Sequence, residues 1–450
     1  MQPLKRWQEP LYALGSLGSY TLNNLVLTWI LFFYHPSEAE AASTGATFFV
    51  SAAAASATWI VARLVDGVCD LPIARWTDNL HSRWGRRRPM IAAGLLPLAA
   101  SFILIWYPPV PEAHWLNAAW MAFFGSAFFF SYTFVVVPYL ALLSELAPDG
   151  ASRLRLASWQ TIFGVLGSAI VAVATPQLVK QGYQRTAWLF LGPSLLCFLG
   201  PILAAREPAS DPPAAGSPPS EVPSLRSTVS AALANRAFST YMLSVVTFYM
   251  GLQLFLIGQP YIVTAVMGLD KDRISALNLG SFLAMPFALW AFNHLSRRHG
   301  AKRAFRLAIL ALAVIMLLYP LTWTRLRLPL PPLAMGAILH VLAGYSLAAI
   351  ITVLNAFPAE IAYRDRMETG QYRAGMYFAV QGVLNQTVAA LAGVMTVQLT
   401  THLGSSVARP YGSLALTPIA ALLCFAGWAL FARYPLGGPP TGEQADAAGN

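Results

Sequence analysis

Residues 63–89 read RLVDGVCDLPIARWTDNLHSRWGRRRP and place a dense set of charges against a long apolar run. The first half of this stretch belongs to an apolar segment over 46–75, yet it contains Arg63, Asp66 and Asp70. Ionisable groups are costly inside hydrocarbon, so they usually face a bundle interior or a water-filled path and mark a functional site. The pattern is typical of a membrane protein whose helices enclose a polar interior.

The composition of the whole chain indicates the same class. The 450 residues are 56% hydrophobic and only 11% charged, with a mean hydropathy of +0.55, whereas a soluble protein has about 25% charged residues. The net charge of +10 is assigned to basic cytoplasmic loops rather than to nucleic-acid binding. The three cysteines lie far apart in apolar runs, which predicts neither a disulfide framework nor a metal site. The first apolar run is too long for a cleaved signal peptide.

Twelve apolar runs are each about as long as a helix that crosses a bilayer. They cover residues 11–34, 46–75, 89–108, 115–143, 157–179, 186–205, 237–266, 274–296, 303–324, 330–357, 374–400 and 411–433. We therefore predict an all-α membrane protein with 12 transmembrane helices.

A segment rich in Pro, Ser and Ala separates the sixth run from the seventh, and such a composition is typical of a flexible linker. The predicted organisation is an N-terminal six-helix bundle over 1–205, a cytoplasmic linker over 206–236, a C-terminal six-helix bundle over 237–433 and a disordered cytoplasmic tail over 434–450. The basic loops SRWGRRRPMI and SRRHGAKRAF occupy the same point of each half, as expected of a transporter with two parallel repeats.

The distribution of Lys and Arg predicts the orientation. With the N-terminus in the cytoplasm, cytoplasmic segments carry 21 basic residues and the opposite face carries 7, while Arg63 lies within a helix. Because cytoplasmic loops are enriched in Lys and Arg, we expect both termini to be cytoplasmic.

The spacing of the helix-two charges predicts a cation site. Asp66 and Asp70 are four residues apart and share a helical face, and Arg63 lies on the same side. Two neighbouring carboxylates can hold Na⁺ with oxygen ligands or share a proton, and Arg63 offsets part of their charge. The alternative is an internal Arg–Asp pair that only fixes helix packing.

The polar loop after this helix predicts a cytoplasmic latch formed by Asp78, Arg86, Arg87 and Arg88. Arginine forks bind carboxylates or the carbonyl groups at the C-terminal ends of helices. The alternative is that these arginines only retain the loop in the cytoplasm.

A set of uncharged polar residues in the apolar runs predicts a substrate cavity. These residues are Tyr20, Asn23, Asn24, Trp159, Gln160, Gln381, Asn385 and Gln386. Hydrogen bonds between helices are the alternative role for each of them. The sequence has no phosphate-binding Walker loop and no nucleophile elbow or metal-binding motif of an enzyme, so ATP is not the energy source and no catalytic residue is predicted.

The stretch RLVDGVCDLPIARWTD, followed by SRWGRRRP, resembles the helix-two signature of the glycoside–pentoside–hexuronide:cation symporters, the melibiose-permease-like branch of the major facilitator superfamily. Further matches are YALGSLGS, VPYLALLSELAPD, RLASWQTIFGVLG and METGQYRAGMYFAVQG, which follow in the family's order and cover most of the chain.

The resemblance implies the major facilitator fold, alternating access, and coupling to Na⁺, H⁺ or Li⁺. In that family the two helix-two aspartates ligate the cation with help from a helix-four threonine. The matching residues here are Asp66, Asp70 and Thr133. From the residues alone, Thr133 could give an oxygen to an ion, and the alternative is a hydroxyl bonded within its own helix.

The sugar site departs from the family pattern. Galactoside carriers use charged groups and a tryptophan at positions that are uncharged here. The matching residues are Tyr20, Val136, Leu140, Gln160 and Gln386. The signature also reads Asp70-Leu71-Pro72 where the family has Asp-Pro, and Arg373-Ala374-Gly375 where it has Arg-Glu-Gly. The resemblance therefore implies cation coupling but not galactoside recognition.

The expected function is Na⁺- or H⁺-coupled symport of a small, largely neutral solute, glycoside-like or amphipathic. The alternatives are an exporter or lysolipid transporter on the same fold, and a membrane assembly factor that transports nothing. No cofactor beyond the coupling ion is expected. The expected partners are the solute and the bilayer, with no nucleic acid and no obligate protein partner, so the chain is predicted to be a monomer. The expected location is a bacterial inner membrane.

Overall fold

The computed structural model describes residues 4–80, 82, 84–85, 87–146, 150–205, 230, 232–369 and 374–435, and all regular structure in these ranges is helical. The helices are α1 Gln8–Tyr34, α2 Glu38–Thr44, α3 Ala52–Asn79, α4 Arg88–Leu104, α5 Trp115–Leu146, α6 Gly150–Leu178, α7 Tyr183–Ala204, α8 Arg236–Tyr261, α9 Ile274–His299, α10 Ala301–Leu318, α11 Pro332–Thr369, α12 Ala374–Leu403 and α13 Tyr411–Phe431. Most of the predicted linker (206–229 and 231) and residues 436–450 of the predicted tail lie outside the described residues.

Ten helices in the described part of the chain are long and apolar enough to cross a membrane. Two further predicted spans are also helical but weaker by these criteria. α4 is apolar but only 17 residues long, and α1 has 27 residues but carries many polar side chains. The described part of the chain is therefore all-helical, with ten helices suited to crossing a membrane, while the count of twelve crossings stays a prediction.

Helix ends differ from the apolar runs that predicted them. α3 begins at Ala52, where the Ser51 hydroxyl accepts a hydrogen bond from the Ala54 backbone amide. It continues to Asn79, so Asp78 lies in the last turn of a helix and not in the predicted loop. The reason is that a helix does not have to stop where its apolar run stops: polar residues continue it until the backbone turns away.

The chain divides into two compact units. The first comprises Met1–Pro36 and Ala41–Val222, and the second comprises Ser37–Glu40 and Pro223–Asn450. The short segment Ser37–Glu40 joins the second unit through a hydrogen bond of 2.8 Å between the hydroxyls of Ser37 and Thr264. It also forms an ion pair of 2.7 Å between Glu40 Oε1 and Lys271 Nζ.

Each unit closes its helical bundle in a similar way, by packing its first long helix against its last. In the first unit, a Cβ at Gly200 of α7 would lie 2.2 Å from the Leu11 carbonyl oxygen of α1. In the second unit, a Cβ at Gly251 of α8 would lie 2.5 Å from the Ala420 carbonyl oxygen of α13. Small residues let membrane helices approach closely enough for their backbones to touch, and both units use this device.

Candidate functional site

The charges of α3 form a compact buried cluster in the first unit. Arg63 Nη1 lies 2.9 Å from Asp66 Oδ2, and both residues are buried. The pair is separated by three positions, which brings the two side chains together on one face of the helix. Because a buried ion keeps its charge only when it is paired, each group stabilises the charged form of the other.

Two aromatic rings enclose the guanidinium. Arg63 Cζ lies 4.6 Å from the centre of the Phe129 ring and 5.7 Å from that of Trp59. Trp59 precedes Arg63 by one turn of α3, and Phe129 belongs to α5. A cation over an aromatic face is stabilised by the ring quadrupole, so the rings hold Arg63 toward the interior of the unit and leave its charge directed at Asp66.

The other oxygen of Asp66 accepts a hydrogen bond from α5. The Thr133 hydroxyl donates to Asp66 Oδ1 at a distance of 3.3 Å, and Thr133 is itself buried. Thr133 follows Phe129 by four residues, so one face of α5 supplies both the ring over Arg63 and the hydroxyl to Asp66. The structure thus brings together Arg63, Asp66 and Thr133.

Asp70 lies one turn further along α3 and is half-buried. Its carboxylate is near enough to Asp66 and Thr133 to interact with both. Pro72 lies just beyond it and has no backbone N–H. The Val68 carbonyl therefore does not accept the hydrogen bond that a helix normally provides from the residue four positions later.

The donor chemistry of this cluster fits a single monovalent cation. When both carboxylates are ionised, the three charged side chains carry a net charge of minus one. Two carboxylates and a hydroxyl are the hard oxygen ligands that such cations take. Within the described residues, no group of three or more His, Cys, Asp or Glu side chains could hold a metal ion.

The predicted cavity residues of the first unit lie on α1 and α6 and make contacts between these helices. Asn24 Nδ2 donates to Ser168 Oγ at 2.9 Å, and Gln160 Nε2 donates to the Tyr12 hydroxyl at 3.3 Å. The Tyr20 side chain is 49% exposed, and Asn23 is half-buried. Trp159, also half-buried, has its ring centre 6.1 Å from that of Phe163.

The predicted cavity residues of the second unit lie on α12. Gln381 is buried, donates to the Leu354 carbonyl at 2.9 Å and accepts from the Tyr241 hydroxyl at 3.2 Å. Asn385 follows on the same helical face, and its Oδ1 is buried without a hydrogen-bond partner among the described residues. Gln386 is half-buried. Gln381 therefore serves helix packing, while Asn385 keeps an unused acceptor.

The predicted latch is only partly described. Arg88 Nε donates at 2.9 Å to the carbonyl of Ile202, in the last turn of α7, which is the kind of contact with a helix C-terminus predicted for these arginines. Arg87 is buried. Arg86 and the side chain of Asp78 lie outside the described residues, so the role of a latch stays a prediction.

One charged pair in the first unit was missed by sequence reasoning. Arg155 Nη2 lies 2.9 Å from Glu9 Oε1, and Glu9 is buried. The pair ties the beginning of α1 to the beginning of α6. The available signal was a lone acidic residue at the start of one span opposite a basic residue at the start of another on the same predicted side.

Comparison with known proteins places the chain in a family. Residues 11–438 match the model of the family described as MFS/sugar transport protein. The chain belongs to this family. Its relatives include symporters of the glycoside–pentoside–hexuronide type, so the resemblance found in the sequence is confirmed. The MFS/sugar transport proteins are transporters and not enzymes.

Two curated relatives of this MFS/sugar transport protein illustrate the likeness. It is 26% identical over 213 residues to the uncharacterized symporter sll1374 of Synechocystis sp., which covers 45% of this chain and 37% of that protein. It is 27% identical over 156 residues to the putative glycoside/cation symporter YagG of Escherichia coli, which covers 34% of this chain and 33% of that protein. The matched segments thus span about a third of each relative.

A solved structure has the same fold. The crystal structure of the nucleoside transporter NupG matches with a TM-score of 0.65 over 95% of this chain and 99% of that chain, at 11% identity. At this identity the likeness concerns the fold alone. The protein is therefore an integral membrane protein with the fold of major facilitator transporters.

Proposed function

We propose that this protein is a secondary active transporter that couples the movement of one Na⁺ or H⁺ to the symport of a small, largely neutral organic solute by alternating access. Twelve transmembrane helices in two six-helix bundles, with both termini in the cytoplasm of a bacterial inner membrane, are part of the proposal. The observation that carries it is the buried cluster of Arg63, Asp66 and Thr133 with Asp70 one turn away.

The two carboxylates have different roles in the proposed mechanism. Asp66 is paired with Arg63 and accepts from Thr133, so it provides a fixed negative charge. Asp70 is the more exposed carboxylate and receives the cation or the proton. A bound cation raises transport only by favouring the conformation that binds solute, because a ligand shifts an equilibrium by its difference in affinity for the two states.

The solute is proposed to be weakly polar. The positions that match the charged sugar ligands of galactoside carriers hold uncharged residues, among them Gln160 and Gln386. The unused acceptor of Asn385 suits a hydroxyl donor, because a buried acceptor without a partner costs about 1–3 kcal/mol. A glycoside with an apolar aglycone combines both properties, and the name of the relative YagG includes glycosides.

The first prediction tests the coupling site. Asp70→Asn in reconstituted vesicles should abolish uptake of an aryl glycoside driven by a Na⁺ or H⁺ gradient, because the neutral amide cannot charge-balance the cation. Exchange of labelled for unlabelled solute, which needs no net cation movement, should persist. Uptake is measured in right-side-out vesicles under each gradient in turn.

The matched control is Glu38→Gln, which removes an exposed carboxylate on α2 and should leave coupling unchanged. Full gradient-driven uptake by Asp70→Asn would refute the cation site.

An exporter of amphipathic products or a lysolipid transporter on the same fold is the second candidate, favoured by the apolar Val136 and Leu140 at matched sugar positions. Gradient-driven accumulation only in inside-out vesicles would select this candidate. An assembly factor that transports nothing would leave the cluster on α3 without a role.

A further inference from the structure

One face of α9 carries an exposed stripe that the transport proposal does not use. Leu283, Phe287 and Trp290 are 72%, 70% and 60% exposed. His294 continues the stripe and is also exposed. The spacings of four, three and four residues keep these side chains on one side of the helix, so they form a continuous line toward its C-terminus.

The rings of this stripe are stacked on one another. The ring centres of Phe287 and Trp290 lie 5.5 Å apart with 30° between the planes, and those of Trp290 and His294 lie 5.5 Å apart with 16° between the planes. Stacking of this kind reduces the rotamer freedom of exposed side chains. The stripe is therefore a preformed surface, with an apolar beginning and an imidazole at its polar end.

The stripe ends beside a cluster of basic residues at the junction of α9 and α10. Arg297 and Arg298 are exposed in the last turn of α9, Gly300 turns the chain with a φ of 83°, and Arg303 is exposed in the first turn of α10. The sequence contains no Asp or Glu from residue 274 to residue 359. The positive charge at this junction is consequently not balanced by its sequence neighbours.

Two further cations of the same junction are engaged by the protein itself. Arg306 Cζ lies 4.9 Å from the ring centre of Trp428, and Lys302 Nζ donates to the Tyr434 carbonyl. These contacts fix the start of α10 against α13 and the residues that follow it. Arg297, Arg298 and Arg303 are thus the cations left at the surface.

We propose that this surface binds an anionic phospholipid, with an acyl chain along Leu283 and Phe287 and the phosphate beside His294, Arg297 and Arg298. Basic residues directly outside a membrane helix attract anionic headgroups, and arginine matches phosphate geometry. Retention of a loop in the cytoplasm needs positive charge alone. It does not need an aromatic stripe on the same helical face, and this alignment selects a lipid as the occupant.

The test compares nanodiscs of phosphatidylcholine with and without phosphatidylglycerol. Full-length protein is released into the gas phase, and lipid adducts are counted by mass spectrometry. The wild type should retain phosphatidylglycerol in preference to phosphatidylcholine. Arg297→Gln combined with Arg298→Gln should lower that preference by about fivefold for each arginine removed, the effect of one cation near an anionic surface.

The matched control is Arg185→Gln combined with Arg327→Gln, which removes two positive charges from the face predicted to lie opposite. This control should keep the wild-type preference. Trp290→Ala should reduce retention of phosphatidylglycerol while all charges remain, which separates a lipid site from a simple anion site.

Three results would overturn the proposal. They are equal retention of the two lipids by the wild type, an equal loss in the control and the arginine variant, and displacement of phosphatidylglycerol by millimolar inorganic phosphate. The last result would identify a free anion as the ligand. All substituted side chains are exposed, and monodisperse elution of each variant verifies its fold.

Discussion

Asp66 and Asp70 are the same residue type four positions apart, yet their surroundings differ. Asp66 is buried, with Arg63 on one oxygen and Thr133 on the other. Asp70 is half-buried. Removing one partner of a buried ion pair typically costs about 3–5 kcal/mol, because the remaining charge is left uncompensated. Arg63 is therefore a structural requirement for Asp66, and in the proposed mechanism Asp70 is the carboxylate that exchanges its ligand.

Thr133→Val tests whether the Thr133 hydroxyl contributes to cation binding. Valine keeps the shape of threonine but cannot donate to Asp66, and a hydrogen bond to a charged group contributes about 1.5–3 kcal/mol. The concentration of coupling cation that gives half-maximal uptake should rise by roughly tenfold at the lower end of that range. The measurement is uptake as a function of external cation concentration. Thr133→Ser retains the hydroxyl and should stay within about twofold of the wild type, so a serine variant as impaired as the valine variant would argue against a ligand role.

The sequence predicted part of this site. The spacing of Arg63, Asp66 and Asp70 places them on one helical face by geometry alone, but for Thr133 only the family resemblance favoured the role of an ion ligand over a bond within its own helix. The Phe129 ring over Arg63 was not predicted, because contacts between helices depend on packing that periodicity does not encode. For the same reason the sequence could not distinguish Gln381, which bonds to neighbouring helices, from Asn385, whose oxygen has no partner among the described residues.

At the scale of elements, the site depends on how closely α5 approaches α3. Gly125, Phe129 and Thr133 are spaced by four residues and lie on one face of α5. A Cβ at Gly125 would already lie 3.3 Å from Ala62 Cβ. This close approach, one turn before Phe129, brings the ring and the hydroxyl of α5 within reach of the charges on α3.

Gly125→Leu should therefore weaken cation binding, although the substitution changes none of the site residues themselves. The larger side chain forces α5 away from α3, and overpacking of this kind costs about 1–3 kcal/mol. Both the thermal stability and the cation affinity should fall, as measured by unfolding in detergent at increasing cation concentration. Gly192→Leu is the matched control, because a Cβ at Gly192 meets no atom within 4 Å. Equal behaviour of the two variants would show that α3 and α5 do not need this contact.

Apolar runs predicted which segments are helical but not where the helices end. Long apolar runs become helices because every backbone group must be satisfied within hydrocarbon. The ends obey different rules, such as the Ser51 cap at the start of α3. α11 continues through polar residues to Thr369, well beyond its predicted run. The short α2 was missed because seven residues give too little periodicity to detect.

At the scale of the whole molecule, both units use the same closure between first and last long helices, as two copies of one six-helix plan would. This likeness supports the prediction of parallel repeats, to which the paired basic loops first pointed. The number of crossings depends on α1 and α4. α1 is the weakest predicted span by hydropathy, and α4 is the weakest by length.

Cysteine labelling across these two helices tests the twelve-span topology. After replacement of Cys69, Cys197 and Cys424, single cysteines are placed at positions 5 and 38 on either side of α1, and at positions 84 and 112 on either side of α4. If both helices cross, a membrane-impermeant maleimide should label positions 38 and 112 only in right-side-out vesicles.

Positions 5 and 84 should react only in inside-out vesicles, as the 21-to-7 asymmetry of basic residues requires. Labelling of positions 5 and 38 from the same side would mean that α1 does not cross. If both react only in right-side-out vesicles, the N-terminus lies on the opposite face from the one predicted and α3 keeps its predicted side. If both react only in inside-out vesicles, α3 and every later helix are inverted, so this comparison decides the orientation of the cation site relative to the gradient that drives it.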